Sequence, residues 1–246
     1  MFIVQTVMAC LAGIVIVSMP TSTHGAGSTK IVAGGFDFGM VAQNTTVAHQ
    51  VWVRSDSEDT IVVTDIKSGC GCLVASTDQY RLGPSDSLPI TFYWQTRGSE
   101  GRTNKSAYLY TETDKRPLEL LFTADVVTSF DSMASLMWAP LEIVFPTPGL
   151  SKELSQTFRL VNSTGADLAV TVIDSGPEIE IEVPTSVGTG QTATGQVIVV
   201  DAYTKQEYES SFTLELSGNQ EAPYRVSIPV VSGDFSFRPI FTTTRK

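Results

Sequence analysis

Beyond an apolar N-terminal stretch, the chain carries no long run of the 3.6-residue apolar spacing that builds an amphipathic helix. Short runs of β-branched and aromatic residues alternate instead with clusters of Gly, Asp, Asn, Ser and Pro. The runs read as strands, because branched and aromatic side chains fit a pleated, half-buried surface, and the clusters favour tight turns. In the first half this spacing predicts strands over 36–41, 47–54, 60–66, 88–95, 105–111 and 118–126, parted by turns at 55–59, 83–86 and 112–117. The fold class that follows is all-β.

The second half repeats the order. Residues 53–69 align without gaps on 160–176, with two hydrophobic runs flanking a polar turn in both copies. Thr64, Ile66, Ser68 and Gly69 recur as Thr171, Ile173, Ser175 and Gly176. A single long domain has no reason to show this register, so two tandem β-sandwich domains are predicted, over 35–127 and 140–232. The split falls at 128–139, with Pro140 opening the second unit. The tail 233–246 adds Phe235, Phe237 and Phe241, read as packing on a domain or meeting a partner.

Charge narrows the function. Sixteen Lys and Arg stand against 26 Asp and Glu, a formal net charge of -10, which repels phosphate backbones and makes nucleic acid a poor partner. Residues 1–20 hold no charged side chain, 7–17 are apolar, and small and polar residues follow through Ala26. This reads as a signal peptide over 1–26, with the mature start near Ala26 or Gly27 and a periplasmic or extracellular destination. About 20 apolar residues also suffice to span a bilayer, so an uncleaved segment is the alternative and the only membrane contact foreseen. Cys10 lies inside this stretch as a small hydrophobe.

The remaining cysteines form the chain's most informative motif, Cys70-Gly71-Cys72. In an extended strand, Cα atoms two residues apart lie roughly 6.5–7 Å from each other, at the limit for a disulfide. Gly71 relaxes that limit, because a glycine at positive φ tightens the segment into a turn. Three readings stay open: a structural disulfide or a pair of half-buried thiols, a soft-metal site in which Cys70 and Cys72 grip Cu(I) or contribute to Zn²⁺, and thiol redox exchange. A closed zinc site needs four ligands, and the mature chain has one histidine, His49, which is expected on a strand surface and not as a ligand. No phosphate-cradling Gly-rich loop, His-Glu-X-X-His or Gly-X-Ser-X-Gly is present, which points away from an enzyme. Residues 178–183 alternate Glu with Ile or Val, which reads as the solvated side of a half-buried strand.

Several separated motifs of the first half occur in a familiar order. Phe36-Asp37-Phe38-Gly39 is followed by the polar turn at 55–59, then Ser68-Gly69-Cys70-Gly71-Cys72, Leu82-Gly83-Pro84-Ser85 and Gly98-Ser99-Glu100-Gly101. In this, residues 35–127 resemble the bacterial domain of unknown function 1573 family. The resemblance implies an immunoglobulin-like sandwich, similar to cilium-associated and major-sperm-protein-like domains, in a mostly exported bacterial family. The second repeat lacks cysteines and has Val144-Phe145-Pro146 where Phe-Gly is the family pattern, so any function of the Cys-Gly-Cys belongs to the first unit. The expectation is a non-enzymatic, exported Ig-like binding or scaffolding protein with a protein partner in the cell envelope. A metal or thiol redox protein using Cys70 and Cys72 is the alternative.

Overall fold

The computed structural model describes residues 29–31, 34–129, 135–148 and 154–233. The signal segment and the three tail phenylalanines lie outside these residues. The first unit contains β1 (Thr29–Ile31), β2 (Gly35–Ala42), β3 (Thr46–Ser55), β4 (Ile61–Ser68), β5 (Leu73–Ser76), β6 (Arg81–Leu82), β7 (Ser87–Gln95), β8 (Gly101–Thr111) and β9 (Leu118–Val127). The second contains β10 (Leu136–Ala139), β11 (Ile143–Phe145), β12 (Ser155–Asn162), β13 (Leu168–Ser175), β14 (Ile179–Glu182), β15 (Ser186–Val187), β16 (Thr192–Val199), β17 (Tyr208–Ser217) and β18 (Tyr224–Ser232). Each strand predicted in the first half is present. β8 starts four residues early, at Gly101, where Arg102 and Asn104 face solvent and leave no apolar alternation to read. Leu136–Ala139, expected within the linker, form β10.

The strands make a layered all-β fold. One four-stranded sheet has the order β1-β3-β7-β5 and another β10-β12-β16-β14. Both pack on a single ten-stranded sheet, β15-β13-β17-β18-β2-β9-β8-β4-β6, with β11 also on β18. Strand alternation supplies the two cores that result. In β7, for example, Leu88, Ile90, Phe92 and Trp94 are buried on one face, and the residues between them are half-exposed on the other. The first core gathers Phe38, Phe92, Trp94 and Phe122, and the second Trp138, Phe145, Phe158 and Phe212. Val127 joins the second core and Met40 of β2 packs against it, so apolar burial runs across the seam.

The repeat is chemical as well as topological. Ser55 ends β3 and Asn162 ends β12, both buried. The Ser55 hydroxyl accepts from the Ser57 amide at 3.2 Å, and the Asn162 side-chain Oδ1 accepts from the Thr164 amide at 2.9 Å. Such side-chain closure of a backbone turn is what Ser and Asn do at these positions. The Ser55 amide donates to the Asp86 carbonyl and the Asn162 amide to the Gln191 carbonyl, both at 3.0 Å. In both units a two-residue strand, β6 or β15, then pairs with the start of the next long strand.

Candidate functional site

The Cys-Gly-Cys segment is the turn from β4 into β5. Cys70 and Cys72 are joined as a disulfide with Cα atoms 5.2 Å apart, closer than extended backbone allows. The approach comes from a turn in which the Leu73 amide donates to the Cys70 carbonyl at 3.5 Å. Gly71 takes no positive φ, contrary to the expectation from sequence, and a Cβ built on it would meet nothing within 4 Å. The turn is pinned at both ends, by the Gly69 amide on the Ser106 carbonyl and the Gln95 amide on the Cys72 carbonyl, each at 2.8 Å. Both cysteines are half-buried and pack against the first core. Joined in this way, neither sulfur is a thiolate, so binding of Cu(I) or Zn²⁺ by Cys70 and Cys72 requires the bond to open. Among the described residues, no three His, Cys, Asp or Glu side chains gather as a metal site.

Beside this turn the two units meet along a cleft. Gly71, Cys72, Tyr93, Gln95 and Glu209 line one end. His49, Gln50, Thr91, Asp174, Glu178 and Ser210 line the other. The second unit's wall includes the carboxylates of Asp174, Glu178 and Glu209. Burial, and then the charge of Glu209, raise the Glu142 carboxyl above its ordinary value. Burial and the charge of Glu178 push the Tyr208 hydroxyl well up. Glu178 also accepts a hydrogen bond from the Ser210 hydroxyl at 2.8 Å.

His49 departs from its sequence reading. It is 7% exposed, and its ring stacks on Phe36 with centroids 3.9 Å apart. Its Nδ1 lies 3.1 Å from Asp174 Oδ2 of the second unit, though off the direction of a hydrogen bond. His49 lies between Val47 and Val51 in the inward register of β3, a signal the local sequence carried, and the second unit covers this part of the strand. The alternation at 178–183 is as foreseen for its strand: in β14 Ile179 is buried, and Glu180 and Glu182 are exposed.

One surface residue escaped the sequence reading. Trp52 is 46% exposed on the outer face of the β1-β3-β7-β5 sheet. Gln50, two residues before it, shares that face, as does Thr91, which pairs with Gln50 across the strands. A signal was available, since Trp52 falls in the outward register of a strand whose Val47, Val51 and Val53 point into the core.

With the Asp37-Phe38-Gly39 strand, the repeated polar turn and the Cys-Gly-Cys turn in place, comparison with known proteins bears on the first unit. Residues 29–126 match the family described as "Protein of unknown function (DUF1573)". The DUF1573 match takes in β1 to β9, the disulfide turn and Trp52, and ends one residue short of the β9 terminus. No curated protein matches the chain. Among solved structures, a protein of unknown function from Porphyromonas gingivalis W83 is similar at 12% identity, over 82% of this chain and 99% of that one, with a TM-score of 0.32. PapD-like domain 7 of human CEP192, an ASH/PapD-like domain, is similar at 10% identity over 50% of this chain and 99% of its own, TM-score 0.36. The Pseudomonas aeruginosa CupB2 chaperone is similar at 11% identity over 81% and 98%, TM-score 0.29.

Proposed function

We propose that the protein is a non-enzymatic Ig-like binding or scaffolding module, exported to the cell envelope and acting on a protein partner. The observation that carries this reading is Trp52, 46% exposed on the outer face of the β1-β3-β7-β5 sheet beside Gln50 and Thr91. A large side chain exposed on a strand face costs apolar hydration, whereas tryptophan at the centre of a protein interface supplies much of the binding energy. The cross-unit sheet supports the same reading, because it holds this face at a fixed attitude to the second unit. Export is supported by the uncharged apolar segment at 7–17 and by a disulfide, which persists in oxidising compartments. Among the described residues, no helix is long and apolar enough to cross a membrane.

The test compares wild type with Trp52→Ala in the native envelope fraction, by chemical cross-linking and sizing of the adduct. The expected result is a discrete adduct of wild type that Trp52→Ala loses while keeping its melting temperature. Equal adducts from both chains, or none from either, would contradict the reading.

A further inference from the structure

The bond between Cys70 and Cys72 spans a single intervening residue. A disulfide stabilises by restricting the unfolded chain, and that effect shrinks with the loop it closes, so this one contributes near the low end. The turn is also held without it. Main-chain hydrogen bonds from Gly69 to Ser106, from Leu73 to Cys70 and from Gln95 to Cys72 fix both flanks. Cys72 lines the cleft with Gly71, Tyr93, Gln95 and Glu209, and is half-exposed, so a sulfur nucleophile has a line of approach. Little structural need, a turn that persists when the sulfurs part, and access from solvent are the properties of an exchangeable bond.

We propose that Cys70 and Cys72 form a thiol–disulfide exchange site, which accepts two electrons from a dithiol without unfolding the protein. A thiolate of the partner dithiol attacks Cys72 Sγ. The bond to Cys70 Sγ breaks, and Cys70 leaves as a thiolate and takes up a proton. The second partner thiolate then attacks the partner's own sulfur in the mixed disulfide, and Cys72 leaves and is protonated in turn. The partner ends as a disulfide, and two electrons and two protons have passed to the cysteine pair. Among the described residues lining the cleft at Cys72 there is the Glu209 carboxylate and no Lys, Arg or His, so the Cys72 thiolate gains no cation from that lining. Exchange therefore proceeds faster as rising pH converts more of the attacking dithiol to thiolate. The site does not depend on the binding role of Trp52.

The full chain is incubated with graded dithiothreitol at neutral pH, alkylated with iodoacetamide, and followed by intact mass and far-ultraviolet circular dichroism. The expected result is reductant-dependent alkylation of two cysteines beyond Cys10, lost in a Cys70→Ser/Cys72→Ser variant and prevented when excess oxidised glutathione is added before the iodoacetamide, with the strand signal unchanged. The double variant, which removes any effect of reductant, should melt within about 4 °C of wild type. A bond that resists reduction until the protein melts, a strand signal that collapses with reduction, or a double variant melting more than roughly 10 °C lower would overturn the proposal.

Discussion

The Ser211 hydroxyl accepts from the Ala48 amide at 2.9 Å and donates to the Ala48 carbonyl at 2.8 Å, so one side chain of the second unit satisfies both backbone groups of a residue in the first. Ser211 and Ala48 are both buried. Among the described residues β1 pairs with β3 at Val53–Ser55 and not around Ala48, where β17 supplies a partner through a side chain. Ser211→Ala strands a donor and an acceptor away from water, and each such group costs about 1–3 kcal/mol. The variant is expected to lose about 2–4 kcal/mol in urea unfolding. A change within error would mean that water replaces the hydroxyl and that the seam is wet.

Two glycines of the first unit make opposite predictions. Gly39, at φ 63°, lies where β2 meets β18, and a Cβ there would collide with the backbone of Arg225. Gly39→Ala combines a left-handed backbone with that collision, and is expected to destabilise by more than about 2 kcal/mol. Gly71→Ala meets open space at an ordinary φ and should fall within about 0.5 kcal/mol of wild type. Thermal melts of the two variants side by side check the contrast, and equal losses would contradict it.

Asp37 ties stability to acid. Burial alone raises its carboxyl, but hydrogen bonds from Arg102, the Gly39 amide and Thr123, with the Arg102 charge, outweigh burial and hold it below its ordinary value of 3.8. Arg102 Nη2 reaches Asp37 Oδ2 at 3.0 Å. A depressed folded value means that the stabilisation is complete above the unfolded value and disappears as pH falls through the folded one. Asp37→Asn is therefore less stable than wild type at neutral pH, and the difference narrows once the pH drops below about 4. Urea midpoints for both chains between pH 2 and 7 measure this, and a constant difference would contradict it.

Glu142 carries the opposite sign. Its carboxyl is raised by burial and by the Glu209 charge, so the folded state favours the protonated form. Ionisation then costs stability as pH rises through the folded value, and acid relieves the cost. Glu142→Gln is expected to stabilise the protein at pH 7 and to have little effect where both forms are protonated. The same pH series reads it, and destabilisation by Glu142→Gln at neutral pH would show that the carboxylate is satisfied.

Much of this architecture is legible in the sequence, and the exceptions share a cause. Strand alternation and turn residues locate β2, β3, β4, β7 and β9 because each has one face buried in its own core. The match between residues 53–69 and 160–176 is visible because Ser55 and Asn162 close equivalent turns by equivalent hydrogen bonds. What joins the units is not visible. Gly39, Ala48, Ser211 and Ser227, whose hydroxyl donates to the Phe38 carbonyl at 2.7 Å, form the seam, and small residues carry no signature of the partner they meet. The burial of His49 was legible in the inward register it shares with Val47 and Val51, but its neighbour Asp174, more than 100 residues away in the chain, was not. The Cys-Gly-Cys motif announces its position but not its state, because a turn and a strand are both open to that spacing until the hydrogen bonds around Ser106 and Gln95 are known.

One sheet joins both units, and two buried tryptophans report on the cores to either side of it separately. Trp94 sits in the first core and Trp138 in the second, both fully buried. Urea unfolding followed by fluorescence in Trp138→Phe and in Trp94→Phe, each in a Trp52→Phe background, isolates one core at a time. Each background variant is referenced to its own circular dichroism transition, which removes the cost of the substitution itself. The joined sheet predicts that fluorescence and circular dichroism coincide in both variants, and that adding Ser211→Ala pulls them apart. Fluorescence midpoints that differ from the circular dichroism midpoint before Ser211 is touched would contradict the shared sheet.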